Sequence, residues 1–204
     1  MKMNPNYSEI MSRNFPSLTM ENIFTEEECA QIVDIGQRIG MEDSKLINGE
    51  VNAAIRKSKN SFIVPDSDTT WIFEKIMSAI NWANEFYFQF ELYGFANMQY
   101  AEYGPDGDYY DWHKDLLFDQ NQITNNMIIP SRKLSASVIL SDRSDYVGGE
   151  FYIERDHENN PINSVSQIIG SMTLFPGFTD HKVAPVTEGT RRSLVIWVVG
   201  PKLK

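Results

Sequence analysis

The stretch LSASVILSDRSDYVGGEFYI, residues 134–153, decides the fold. Two runs rich in β-branched and aromatic residues flank a turn built from Asp, Ser and Gly, which reads as strand, turn, strand. The same texture holds from about residue 90 onward. Runs at 91–103, 109–113, 134–141, 149–154, 167–175, 181–186 and 191–199 alternate with Gly, Pro, Asp and Asn turns. No convincing helix interrupts them. Many short strands with turn-rich connections predict a sandwich, a barrel or a double-sheet jelly roll.

Upstream the pattern is helical. In TEEECAQIVDIGQRIG, Thr25 and Glu28 have capping-box spacing, and Ile32, Val33, Ile35 and Ile39 supply an apolar face. Pro65, Asp66 and Asp68 introduce a second helix over about 69–88, with Trp71, Ile72, Ile76, Ile80, Ala83 and Tyr87 on one stripe. Residues 41–64 are ambiguous, and the first twenty are polar and extended or partly disordered. Helices followed by a run of strands give an α+β, mostly β, class. The 204 residues fit a single domain, 1–204, with an extended N-terminus (1–20), a helical buttress (21–90) and a β core (91–200).

The net charge of −10 argues against sequence-independent binding of nucleic acid and against docking on an anionic membrane, both of which call for a basic surface. One cysteine, Cys29, permits no intramolecular disulfide and fits a reducing compartment. No signal-peptide pattern or run of membrane-spanning length appears, so a soluble, cytoplasmic protein is expected. The connection at 116–131, LLFDQNQITNNMIIPS, is long for a loop between strands and too apolar for a plain linker. It is either a loop packed on the body or a lid over a site near Asp115.

The chemistry starts in YYDWHKDLLF, residues 109–118, where His113 and Asp115 stand two apart. His-x-Asp alone is a weak signal. On a strand, however, residues i and i+2 face the same side. Two imidazoles and one carboxylate on one face of a metal make the triad of non-haem Fe(II) oxygenases, and the same ligand set serves catalytic zinc. The chain has only three histidines. His181 follows a strand and turn and is the candidate third ligand; His157, in the polar turn ERDHENNP, is its competitor. Ten residues after His181, alternation places Arg191, Ser193, Val195 and Trp197 on one strand face and Arg192 on the other. A guanidinium and a hydroxyl on one face can hold a carboxylate by charge-assisted hydrogen bonds.

These residues, His113-x-Asp115, His181 and Arg191-x-Ser193, resemble the signature of the 2-oxoglutarate- and Fe(II)-dependent dioxygenases, in particular the prolyl 4-hydroxylase-like branch with its bacterial and phage members. The resemblance runs from about Met98 to Trp197. It includes Tyr103, Tyr110, the segment quoted at the outset with its Gly-Gly-Glu, and HKVAPVTEG followed by Arg191. It implies a double-stranded β-helix buttressed by the N-terminal helices. His113, Asp115 and His181 would hold Fe(II). Arg191, Tyr103 and Ser193 would hold 2-oxoglutarate, and O2 would be the second cosubstrate, with ascorbate admitted as a further ligand.

Two positions then point to a proline-containing peptide or protein as substrate. Arg132 falls where prolyl hydroxylases carry a substrate-contacting arginine, and Trp197 where an indole packs on the target proline. Ile139 departs from the pattern, standing where some members have a second tyrosine for 2-oxoglutarate, so Ser135 or Ser137 would have to contribute. Tyr110 and Trp112 are expected as walls beside the metal. An oxygenase for a small molecule or nucleic-acid base, and a non-catalytic or zinc-binding jelly roll, are the alternatives. The target and the oligomeric state are not legible.

Overall fold

The computed structural model describes residues 17–44, 52, 54–116, 123–124, 127–128, 131–156 and 158–201. The expectations for residues 1–16, for most of the 116–131 connection as a lid, and for His157 fall outside them.

Among the described residues, two α-helices and fifteen strands follow in order: β1 (Leu18–Met20), α1 (Glu26–Ile39), β2 (Glu42–Asp43), β3 (Arg56–Lys57), β4 (Lys59–Ile63), α2 (Thr70–Ala83), β5 (Gly94–Tyr103), β6 (Asp108–His113), β7 (Ile123–Thr124), β8 (Met127–Ile128), β9 (Ser131–Ile139), β10 (Tyr146–Gly148), β11 (Phe151–Arg155), β12 (Pro161–Ser164), β13 (Met172–Pro176), β14 (His181–Gly189) and β15 (Arg191–Gly200). Among the described residues, the larger sheet runs β1-β13-β9-β15-β5-β4-β2. The smaller one runs β12-β11-β14-β6-β3, with β10 also on β14. All pairings are antiparallel, as a double-stranded β-helix requires.

Period-two alternation gives the larger sheet two unlike faces. On β15, Leu194, Ile196 and Val198 point outward with Met98 and Tyr100 of β5 and Leu134, Ala136 and Val138 of β9, and all are buried. The helices close over this face. From α1 it takes Cys29, Ile32 and Ile35; from α2, Ile72, Ile76, Ile80 and Ala83. Each fully buried aliphatic side chain here contributes about 1.5–3 kcal/mol. The other face of the same strands looks toward the smaller sheet and carries the polar residues of the site.

Helix α1 begins as its sequence predicts. The Thr25 hydroxyl accepts from the Glu28 N–H at 3.2 Å, and the Glu28 carboxylate accepts from the Thr25 N–H at 2.9 Å. Glu28 also pairs with Lys75, tying α1 to α2. Its buried face differs from the expected one. Ile39 is the last residue of the helix and is half exposed, whereas Gly36 is buried against Tyr100. A Cβ on Gly36 would meet the Tyr100 ring at 2.3 Å, so only glycine lets the helix come this close. Helix α2 ends at Ala83 and passes into a π-helical turn, Asn84–Phe88, which ends at Gln89 with φ +54°. That turn carries Tyr87 outward, off the predicted stripe.

The ambiguous segment 41–64 supplies β2, β3 and β4, each too short or too polar to announce itself. Residues 167–171 are not strand: a turn at Gly170, with φ +75°, delays β13 to Met172. Leu18–Met20 pairs with β13. No helix among the described residues is long and apolar enough to cross a membrane.

Candidate active site

The two sheets enclose a cavity of about 250 Å³. Strands β6 and β14 deliver the histidines. His113 stands opposite His181, and two residues of β14 span three of β6 before Val183 meets Tyr110. This bulge puts Tyr110 and His113 on one side of β6 although they are three apart. Their rings stack at 3.4 Å between centroids. It also turns Trp112 outward, to lie near Lys182 and Arg155, so Trp112 is no wall of the site. The expectation for Tyr110 holds and that for Trp112 is corrected. Asp115 lies in the bend just past β6, and its side chain returns to the cavity fully buried.

One nitrogen or carboxylate oxygen from each of His113, Asp115 and His181 lies within 4.8 Å of the others. The imidazole Nε2 atoms stand 3.9 Å (His113) and 3.4 Å (His181) from the Asp115 oxygens. Each Nδ1 faces a carbonyl oxygen, His113 that of Asp111 at 2.7 Å and His181 that of Thr179 at 3.0 Å. A carbonyl only accepts, so Nδ1 carries the proton and Nε2 keeps its lone pair for the centre of the triad. Burial, aided by the neighbouring His181, holds His113 well below the usual imidazole value and so neutral. Burial alone would raise the Asp115 carboxyl, yet its charged and hydrogen-bonding surroundings, Arg132 among them, hold the group below its ordinary value, as a carboxylate. One oxygen of that buried carboxylate has no hydrogen-bond partner among the described residues. A buried anion with an unused oxygen beside two free imidazole lone pairs is costly unless a cation fills the gap. The donor set therefore fits a divalent metal.

A second demand lies at the deep end. Arg191 and Tyr103 face each other across β15 and β5. Arg191 is 1 % exposed, yet it makes no ion pair among the described residues. Its Nε donates to Gln167 Oε1 at 3.2 Å and its Nη1 to Ser193 Oγ at 3.2 Å; Nη2 is buried with no partner. A buried guanidinium with an unused N–H group calls for an anion, and a carboxylate matches its fork. Tyr146 donates to the same Gln167 oxygen at 3.1 Å, which fixes the amide. Gly149, at φ +67°, lies so close to the Arg191 side chain that a Cβ there would meet it at 2.9 Å. Arg192 points the other way, to Glu102 at 3.3 Å, as the alternation predicts.

At the outer end Arg132 lies over the Trp197 ring at 4.1 Å. Between the two ends Arg56 lies over Tyr110 at 4.7 Å and donates to Gln99 Oε1 at 2.8 Å. Burial pushes the Tyr110 phenol up to about 12, so it stays protonated. Ser137 lines the cavity, Ile139 is packed away, and the Ser135 hydroxyl is buried on the cavity-facing register of β9 without a hydrogen-bond partner. Sequence reading missed Arg56, Gln99, Gln167 and Tyr146, because each enters the site through pairing of distant segments.

A facial triad of two imidazoles and a carboxylate between the sheets of a double-stranded β-helix, with a buried arginine behind it, defines a non-haem iron oxygenase. The sequence model of the 2OG-Fe(II) oxygenase superfamily matches residues 98–199, and the chain belongs to that family. It is a dioxygenase that uses Fe(II) and 2-oxoglutarate. It is similar to a PKHD-type hydroxylase of Aliarcobacter butzleri, 26% identical over 185 residues, which cover 89% of this chain and 77% of the relative. The fold matches a Pseudomonas putida prolyl-4-hydroxylase with a TM-score of 0.70 at 17% identity, over 93% of this chain and 95% of that one. It also matches a prolyl hydroxylase of Trichoplax adhaerens, solved with a hypoxia inducible factor peptide, with a TM-score of 0.71 at 17% identity, over 94% and 86%.

Proposed function

We propose that this enzyme hydroxylates prolyl residues of a protein or peptide, with His113, Asp115 and His181 as the iron ligands. Arg191, whose Nη2 is buried without a partner, would hold the distal carboxylate of 2-oxoglutarate, with Ser193 and Tyr103 beside it. Bound iron and 2-oxoglutarate supply the oxidising power: O2 is consumed, the keto acid leaves as succinate and CO2, and one oxygen atom enters a substrate C–H bond.

The chain's own groups do the rest. Asp111 and Thr179 carbonyls orient the imidazoles. Tyr110, Phe151 and Phe175 wall the site against water. The observation that carries the prolyl reading is the meeting of an indole and a guanidinium on the cavity lining, Arg132 lying 4.1 Å from the Trp197 ring centroid, which offers a proline residue an apolar contact beside a hydrogen-bond donor. The prolyl-hydroxylase names among its structural neighbours support it. A single, buried cysteine supports a reducing compartment, and the reading places the enzyme in the cytoplasm.

The test is direct. Fe(II)-loaded enzyme with 2-oxoglutarate and proline-rich peptides should add one oxygen to a proline, seen by mass spectrometry. A mass gain found only on other residues, or only on a free metabolite, sinks the reading.

A further inference from the structure

Four buried polar atoms have no hydrogen-bond partner among the described residues: Asp115 Oδ2, Arg191 Nη2, Ser135 Oγ and Trp197 Nε1. Metal and cosubstrate account for the first two. Trp197 Nε1 belongs to a side chain 7 % exposed that lines the cavity, so it marks a third ligand, the substrate, and asks it for an acceptor.

The registers place the groups around it. Along β15 and β5, Arg191 is level with Tyr103, Val195 with Gln99, and Trp197 with Asn97. At about 3.3 Å per residue, Gln99 lies roughly 13 Å from the Arg191 level and two residue levels, about 7 Å, short of Trp197. Gln99 Oε1 is taken by Arg56, which leaves its amide N–H groups as donors. Arg56 is 6 % exposed and lines the cavity. Among the described residues its contacts are with neutral groups: Ser58 Oγ at 3.1 Å, Gln99 Oε1 at 2.8 Å and the face of Tyr110. Arg132 holds its guanidinium carbon 4.1 Å from the Trp197 ring centroid, also on the cavity lining, and makes no ion pair among the described residues. The substrate end thus offers two guanidinium groups, an indole N–H and an amide. In a chain of net charge −10, these two cations share one cavity with Glu42 and Asp43 of β2.

We propose that Arg56, fixed by Ser58 and Gln99 and acting with Arg132, binds a carboxylate of the substrate, so that the enzyme selects segments with an acidic group beside the oxidised residue. This rests on the reading of the substrate as a peptide. The carboxylate comes either from an Asp or Glu side chain or from the peptide's own C-terminus.

Three pools of N-acetylated octapeptides, randomised over neutral residues including proline, separate these sources. One carries a single Asp or Glu and a C-terminal amide; one the matched Asn or Gln and an amide; one Asn or Gln and a free C-terminus. Peptide-stimulated succinate release and the residue that gains oxygen are measured with the Fe(II)-loaded full chain. A carboxylate-bearing pool should show a kcat/KM about tenfold above the neutral amide pool, the first identifying a side chain and the third a C-terminus. Arg56→Gln should reduce that ratio to within twofold, mainly through KM, and Arg56→Lys should keep part of it. Equal use of all pools by the unaltered enzyme overturns the proposal, as does stimulation by none, or a ratio that survives in Arg56→Gln. The first comparison needs no variant, so it stands even if Arg56→Gln fails to fold. Oxygen found on a residue other than proline would refute the prolyl reading while the carboxylate preference is still read.

Discussion

Arg191 shows how much one residue can reveal. Its burial and its unpartnered Nη2 make sense only with an anion in front of it. Replacing it with methionine keeps bulk and removes the charge-assisted bond, worth about 3 kcal/mol, or roughly 100-fold. Arg191→Met should therefore raise the KM for 2-oxoglutarate about 100-fold, measured by succinate formation at saturating peptide. An unchanged KM would show that the cosubstrate lies elsewhere. At this scale the sequence was a good guide to residues whose role follows from local spacing. His113 and Asp115 sit two apart, and Arg191, Ser193 and Trp197 share a strand face; all line one cavity. Arg56 and Gln167 were illegible because nothing near them in the chain hints at Tyr110 or Arg191.

Among the elements, α1 and β5 set a sharper constraint than their hydrophobic patterns suggest. Gly36 is a poor helix residue, and alanine there gains about 1 kcal/mol of helix propensity. The added Cβ would lie 2.3 Å from the buried Tyr100 ring, however, and overpacking of this kind costs about 1–3 kcal/mol. Gly36→Ala should lower the thermal midpoint by several degrees, and Tyr100→Leu should make the same substitution neutral or stabilising in a double-mutant cycle. Additive effects would mean that the helix shifts freely. Strands β5, β6, β9, β14 and β15 were legible because each has enough alternating or apolar residues to set a period. Strands β2, β3 and β4 were not, since their stability comes from the sheet they join. The bulge in β6 was equally hidden, and it is what sends Trp112 outward.

For the whole molecule, the cavity is a collection of charges prepared for ligands that complete them. Asp115 and Arg191 are each buried at a cost that binding offsets. Ligands that bind only the folded state stabilise it by about 2.7 kcal/mol at 100 times their Kd. Fe(II) and 2-oxoglutarate together, added without O2, should raise the thermal midpoint by several degrees more than the sum of their separate shifts. Purely additive shifts would argue against one shared site.

The order in which the strands leave the ribosome has its own consequence. β15 lies in the middle of the larger sheet, between β9 and β5, yet it is the last described strand to be synthesised. Until it emerges, β5 and β9 each present an open edge, the kind of surface that recruits other chains. The nascent protein must wait for β15 before helices, core and Arg191 can be secured together. A ribosome stalled near residue 190 would thus display a half-built sheet with nothing to seal it.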